Sequence, residues 1–115
     1  MKMHQAVAVL AMTLALLIVP LAASAAIHSL QVDNATLSPA YVTLLVDGKA
    51  VEKQEIAPRS KLMFTWDDSK GSAVLALHAC GRMMKWNLPT SQGPMSFMAS
   101  RIASSGACVF HSNVK

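Results

Sequence analysis

Charge and cysteine are both scarce in this chain. Only 14% of its 115 residues are charged, with six acids against ten lysines and arginines, and the net charge is +4. The basic residues are scattered and form no block, which argues against a nucleic-acid partner, since such binding needs a concentrated basic surface. The two cysteines, Cys80 and Cys108, stand 28 positions apart. That is too far for a Cys-x-x-Cys redox pair.

Catalytic signatures are missing as well. No Gly-x-Ser-x-Gly elbow occurs, and no glycine-rich loop suited to cradling phosphate. Asp33, Asp47, Asp67 and Asp68 all fall in turn-like segments, where aspartate serves local backbone hydrogen bonding. Asp67-Asp68 on its own is a weak calcium signal, because further oxygen ligands at suitable spacing are lacking. The expectation is therefore a protein without catalysis and without a cofactor.

Long apolar runs are confined to the beginning of the chain. MKMHQ supplies a short basic start, Ala6 to Val19 an uncharged apolar run, Pro20 a break, and Ala23-Ser24-Ala25 small residues in an A-x-A pattern. This three-part order is that of a secretory signal peptide, with cleavage expected between Ala25 and Ala26. The expected organisation is a signal peptide over residues 1–25 and one small domain over residues 26–115. After cleavage no segment is apolar enough over sufficient length to span a bilayer, so no transmembrane segment is expected. The expected location is periplasmic or secreted. In such a compartment two cysteines pair, and a Cys80–Cys108 disulfide is the natural reading.

The chain beyond residue 25 is punctuated at short intervals, by DNAT, DG, APRS, DDSKGS, CG, PTSQGP and SSG. The runs between these marks have strand length, and several alternate with period two. KLMFTW places Leu62, Phe64 and Trp66 on one face. AYVTLLV-DG-KAVEKQEI is a hairpin pattern in which Asp47-Gly48 supply the positive φ angles of a type I′ turn. SAVLALHA is apolar on both faces, which suits a central strand. RMMKWNL groups Met84, Trp86 and Leu88 away from Met83, Lys85 and Asn87. The competing pattern is a helix through MSFMASRIAS, with Met95, Met98 and Ile102 on one face. Six to eight strands in all imply a mostly β fold, a small antiparallel β-sandwich of immunoglobulin-like rhythm or a barrel, with one disulfide.

The densest chemistry lies in LALHACGRMMKW. On a strand, alternation puts His78 and Cys80 on the same face. A disulfide would consume the Cys80 thiolate and staple this strand to the C-terminal segment ACVFHS. A copper site remains as an alternative, a periplasmic copper carrier using His78, Met83, Met84 and His111, since thioether and imidazole suit Cu(I). Met83 and Met84 point to opposite faces of a strand, so one of them at most can join His78.

The main expectation is an exported, non-catalytic binding or accessory protein that acts on a protein or cell-envelope component, in an inhibitor, immunity-type or assembly-factor role. Arg82, Met84, Lys85 and Trp86 are the candidate partner-binding residues, because Trp, Met and Arg are enriched at interfaces.

Overall fold

The computed structural model describes residues 26–115, so the expected signal peptide at residues 1–25 lies outside the described residues. Eight strands succeed one another there: β1 (Ile27–Ala35), β2 (Ala40–Val46), β3 (Lys49–Ile56), β4 (Ser60–Asp67), β5 (Ala73–Ala79), β6 (Arg82–Asn87), β7 (Met95–Arg101) and β8 (Cys108–Ser112). A 3-10 turn, Asp68–Lys70, joins β4 to β5. The strands form two four-stranded sheets, ordered β4-β1-β7-β8 and β3-β2-β5-β6, which pack as a sandwich. The helix alternative over Met95 to Ile102 is not realised. Period two wins there because Met95, Phe97 and Ala99 are all buried, while Met98 turns outward and Ile102 is exposed.

The core obeys the same alternation. Leu30 and Val32 on β1 face Val42, Leu44, Leu75 and Leu77 of the other sheet, together with Met95 and Phe97. Val and Leu at every second position suit a pleated surface buried on one side. β5 is buried on nearly every residue, as its position between β2 and β6 requires. β4 keeps the expected pattern, with Leu62 and Phe64 half-buried, Trp66 buried, and Lys61, Met63 and Thr65 exposed.

Neighbouring strands run antiparallel except in one pair. β1 and β7 are parallel, with Leu30 opposite Met95 and Val32 opposite Phe97. A parallel neighbour needs a long crossover connection, which the chain provides by building β2 to β6 in between.

Two tight hairpins set the register of the second sheet. Asp47 and Gly48 have φ values of 50° and 80°, as the DG signal implied. Asp47 also accepts a hydrogen bond from the Ser72 backbone N–H through Oδ1, at 3.1 Å, pinning the hairpin to the start of β5. Its carboxylate occupies the space that a Cβ on Gly71 would need, and Gly71 has φ 130°. A side chain at position 71 would meet both obstacles.

Candidate functional site

The second hairpin changes the geometry of the chemistry-rich segment. β5 ends at Ala79, and Cys80 and Gly81 form a two-residue loop with φ values of 57° and 71°. Strand alternation therefore stops before Cys80. The expectation that His78 and Cys80 share a face does not hold: His78 is exposed, whereas Cys80 packs against the core. There it forms the disulfide with Cys108, with Cα atoms 6.2 Å apart. Cys108 opens β8, so the bond links the β5–β6 hairpin of one sheet to an edge strand of the other.

The four candidate partner-binding residues divide between two roles. Trp86 stands on the core side of β6, with its ring centroid 5.0 Å from Phe97 and 6.5 Å from Phe110. Arg82 reaches across the flank of the sandwich and donates from Nη1 to the Cys108 carbonyl at 3.0 Å. Both therefore help close the flank, Trp86 half-buried and Arg82 still exposed. Met84 shares their side of the strand but is 39% exposed, because β6 is the last strand of its sheet. Lys85 alone points to the outer face and is exposed.

That outer face holds a row no single stretch of sequence displays. Ladder register places Glu55 of β3 beside Tyr41 of β2, Tyr41 beside His78 of β5, and His78 beside Met83 of β6. All four are exposed, Tyr41 and Met83 by half or more. Directly opposed side chains in antiparallel strands lie about 5 Å apart, close enough to act as one surface. The next row along the sheet is Lys53, Thr43, Ala76 and Lys85, which adds two ammonium groups. The Glu55 carboxylate pushes the Tyr41 phenol above its ordinary value, through a hydrogen bond first and negative charge second. Tyr41 therefore stays a neutral hydroxyl at physiological pH.

The alternative metal set is only partly assembled. His78 and Met83 are cross-strand neighbours. Met84 takes the opposite side of β6, and His111 lies in the other sheet, paired with Met98 on its outer face. No group of three or more His, Cys, Asp or Glu able to hold a metal is found among the described residues.

No family model and no curated protein matches the chain. The functional reading therefore depends on its own residues.

Two further polar networks brace the fold, and the sequence signals for both were those of ordinary turns. Asn34 is fully buried and donates through Nδ2 to the carbonyls of Ser38, Ile56 and Ala57, at 2.8, 3.0 and 3.3 Å. Its Oδ1 accepts from the Thr36 backbone N–H and hydroxyl. The Asn-Ala-Thr run matches a glycosylation acceptor pattern, yet the Nδ2 that would carry a glycan is fully engaged here. At the other end of β1, His28 is buried and stacks on Trp66, with ring centroids 4.7 Å apart. Its Nε2 donates to Asp68 Oδ2 at 2.9 Å. Asn and Asp at strand ends are the only trace of these networks in the sequence, and such residues mark turns far more often than clamps.

Proposed function

We propose that this is an exported, non-catalytic binding protein that acts on a protein or cell-envelope component, in an inhibitor, immunity-type or assembly-factor role. The observation carrying this reading is the exposed row Tyr41–His78–Met83, continuous across three strands and ending at the edge strand β6. Tyrosine and methionine at an exposed, rigid β surface are the residue types enriched in the cores of protein interfaces. Lys53 and Lys85 flank the row and supply the polar rim such interfaces carry. Of Arg82, Met84, Lys85 and Trp86, the first three are exposed and available to a partner, while Trp86 supports the surface from behind.

The test is affinity capture from envelope extract with disulfide-intact protein, read by mass spectrometry. Tyr41→Ala combined with Met83→Ala is expected to lose the captured partner, and Lys85→Ala to weaken capture. Met63→Ala, exposed on the other sheet, is expected to leave it intact. Equal capture by all variants would refute this face as the binding surface. Stability must be followed alongside. Lys85→Ala should change it by less than about 0.5 kcal/mol, whereas Arg82→Ala should cost about 1 kcal/mol through the lost bond to the Cys108 carbonyl.

One observation favours a second reading, a periplasmic copper carrier: His78 and Met83 are direct cross-strand neighbours on an accessible face. Two ligands bind Cu(I) less firmly than a full site. Titration against a competing Cu(I) chelator separates the readings. A stoichiometric complex that survives competition and disappears in His78→Ala would favour the carrier.

A further inference from the structure

The start of β1 is held by an arrangement that signal cleavage would complete. Asp68 Oδ1 accepts a hydrogen bond from the Ala26 backbone nitrogen at 3.1 Å, and the Asp68 backbone N–H donates to the Ala26 carbonyl, also at 3.1 Å. The other carboxylate oxygen, Oδ2, holds the buried His28 imidazole. One carboxylate thus bridges the main-chain nitrogen of residue 26 and the side chain of residue 28. Residue 26 is also the first after the A-x-A pattern at Ala23 to Ala25.

We propose that the α-ammonium group created at Ala26 by signal-peptide cleavage is a structural ligand of Asp68, so that processing locks the first strand into its sheet. The inference rests on cleavage between Ala25 and Ala26 and is independent of the partner-binding reading. Hydrolysis of the Ala25–Ala26 bond consumes one water, leaves a carboxylate on Ala25, and frees an amine on Ala26 that takes up a proton. Before cleavage the nitrogen at position 26 is a neutral amide with one hydrogen. After it, the same atom is a cation with three donors beside a carboxylate already aimed at it. Charge-assisted hydrogen bonds are roughly twice as strong as neutral ones.

The surroundings favour the pair. Among the described residues, the charged and titratable groups near Asp68 are His28 on β1, Asp67 at the end of β4 and Lys70 in the 3-10 turn. Asp67 is occupied by the Ser69 backbone N–H and hydroxyl. Thr90 to Pro94, which line the same depression as Ala26 and His28, bring no charge. The anchored strand is central, between β4 and β7, so fixing its first residue fixes the sheet at that end.

The experiment compares exported protein with a variant carrying Gly-Ser inserted between Ala25 and Ala26, each in wild-type and Asp68→Asn backgrounds. Intact mass establishes the N-terminus of each. The insertion moves the ammonium away but keeps a peptide N–H at Ala26. It is expected to lower the Tm at pH 7 by about 2–6 °C, the scale of a modest local loss in a domain of this size. In the Asp68→Asn background it should lower the Tm little further. A second readout is the rate at which an acylating reagent modifies the α-amine of folded protein near pH 7. The native amine should react about three- to tenfold more slowly than that of Asp68→Asn, because an adjacent carboxylate keeps it protonated. Equal rates, or an insertion without effect on Tm, would overturn the proposal. So would a mature N-terminus at any residue other than Ala26. If Asp68→Asn does not accumulate, the insertion variant alone still decides.

Discussion

The two flanks of the sandwich are closed by different means. On one flank β6 and β8 are joined by the Cys80–Cys108 bond, by Arg82 reaching the Cys108 carbonyl, and by Trp86 lying against Phe97 and Phe110. On the other, β3 and β4 share a short turn and little else along their length. The core-side positions of β3 opposite Val42 and Leu44 are Gln54 and Glu52, which hydrogen-bond each other at 2.7 Å and leave Leu62 and Phe64 of β4 half-buried. Across the two sheets that flank is held near the β3–β4 turn, by Asn34; at the far end Asp68 with His28 braces the end of β4 against β1 within one sheet. A small domain has too little core to hold both flanks by packing alone. One flank here is covalent and aromatic, and the other is polar. The charged β3 edge, with Lys49, Glu52, Lys53 and Glu55, also discourages pairing with other chains.

The largest effect expected from breaking this contrast lies on the covalent flank. Replacing Cys80 and Cys108 together with alanine should cost about 3–4 kcal/mol, the chain-entropy value for a loop of this length. Urea unfolding of the oxidised protein and the double variant measures it. Because the bond constrains the unfolded chain, the loss should appear mainly in midpoint and extrapolated stability. Native spectra should change little. Thiol titration of unfolded exported protein should find no free cysteine; two reactive thiols would show that the flank is not covalently closed.

Next in size is the clamp on the polar flank. Asn34→Ala removes the donor shared by three carbonyls and the acceptor of Thr36, all in a site where water is excluded or scarce. Buried groups left without partners cost about 1–3 kcal/mol each when they stay dry. Partial access of water to the Ser38 and Ala57 carbonyls brings the total expected to about 2–3 kcal/mol. Asn34→Asp tests the same point by keeping the shape and removing the donor. If Asn34→Ala unfolds at the same urea concentration as the native protein, the polar flank is held by something other than this clamp.

The same contrast explains which parts of the molecule were legible from sequence. Local alternation identified β4 and its Leu62, Phe64 and Trp66 face, because side-chain period and burial agree when one sheet face is covered. Asp47-Gly48 marked its turn because positive φ restricts residue choice. The disulfide was implied by compartment and count. Each of these depends on neighbours in sequence or on composition. Cys80 departs from the strand pattern because its left-handed conformation is imposed by a hairpin; the CG pair marks that turn, while the apolar run before it carries the strand reading on through Cys80. Arg82 looks like a free surface charge in the sequence because its acceptor lies 26 positions away. The Tyr41–His78–Met83 row depends on the register of three strands, and register across a sheet is set by tertiary packing. Asn34 carries a turn signal, yet it lies within β1, paired on both sides and fully buried, so the signal misplaces it. The covalent flank is readable because chemistry names its partners. The polar flank is not, because hydrogen bonds to backbone carbonyls leave no trace in residue identity.

The smallest effect expected is also the most selective, because it should loosen one flank and spare the other. The bonds from His28 and from the Ala26 nitrogen hold the Asp68 carboxyl below the usual carboxylate range, with the His28 bond the larger cause. Ser69 does the same for Asp67, through its hydroxyl first and its backbone N–H second. A carboxyl lowered in the folded state contributes stability that is complete above its unfolded value, about 3.9, and is lost as pH falls through the folded value. Both aspartates therefore weaken the fold in acid, and both sit where β4 ends beside the start of β1. The covalent flank has no group of this kind in its closure, since a disulfide, a guanidinium-to-carbonyl bond and stacked aromatics do not titrate between pH 3 and 7. Hydrogen exchange followed from pH 6 to 3, corrected for the intrinsic rate, should show backbone protection falling first at Ile27 to Ser29 and Thr65 to Asp67. Protection in β6 and β8 should persist. Asp68→Asn should remove most of the pH dependence at the first site, because the amide cannot titrate. A uniform loss across both flanks would mean that the two sides do not open independently, and that the contrast between them is one of chemistry without consequence for motion.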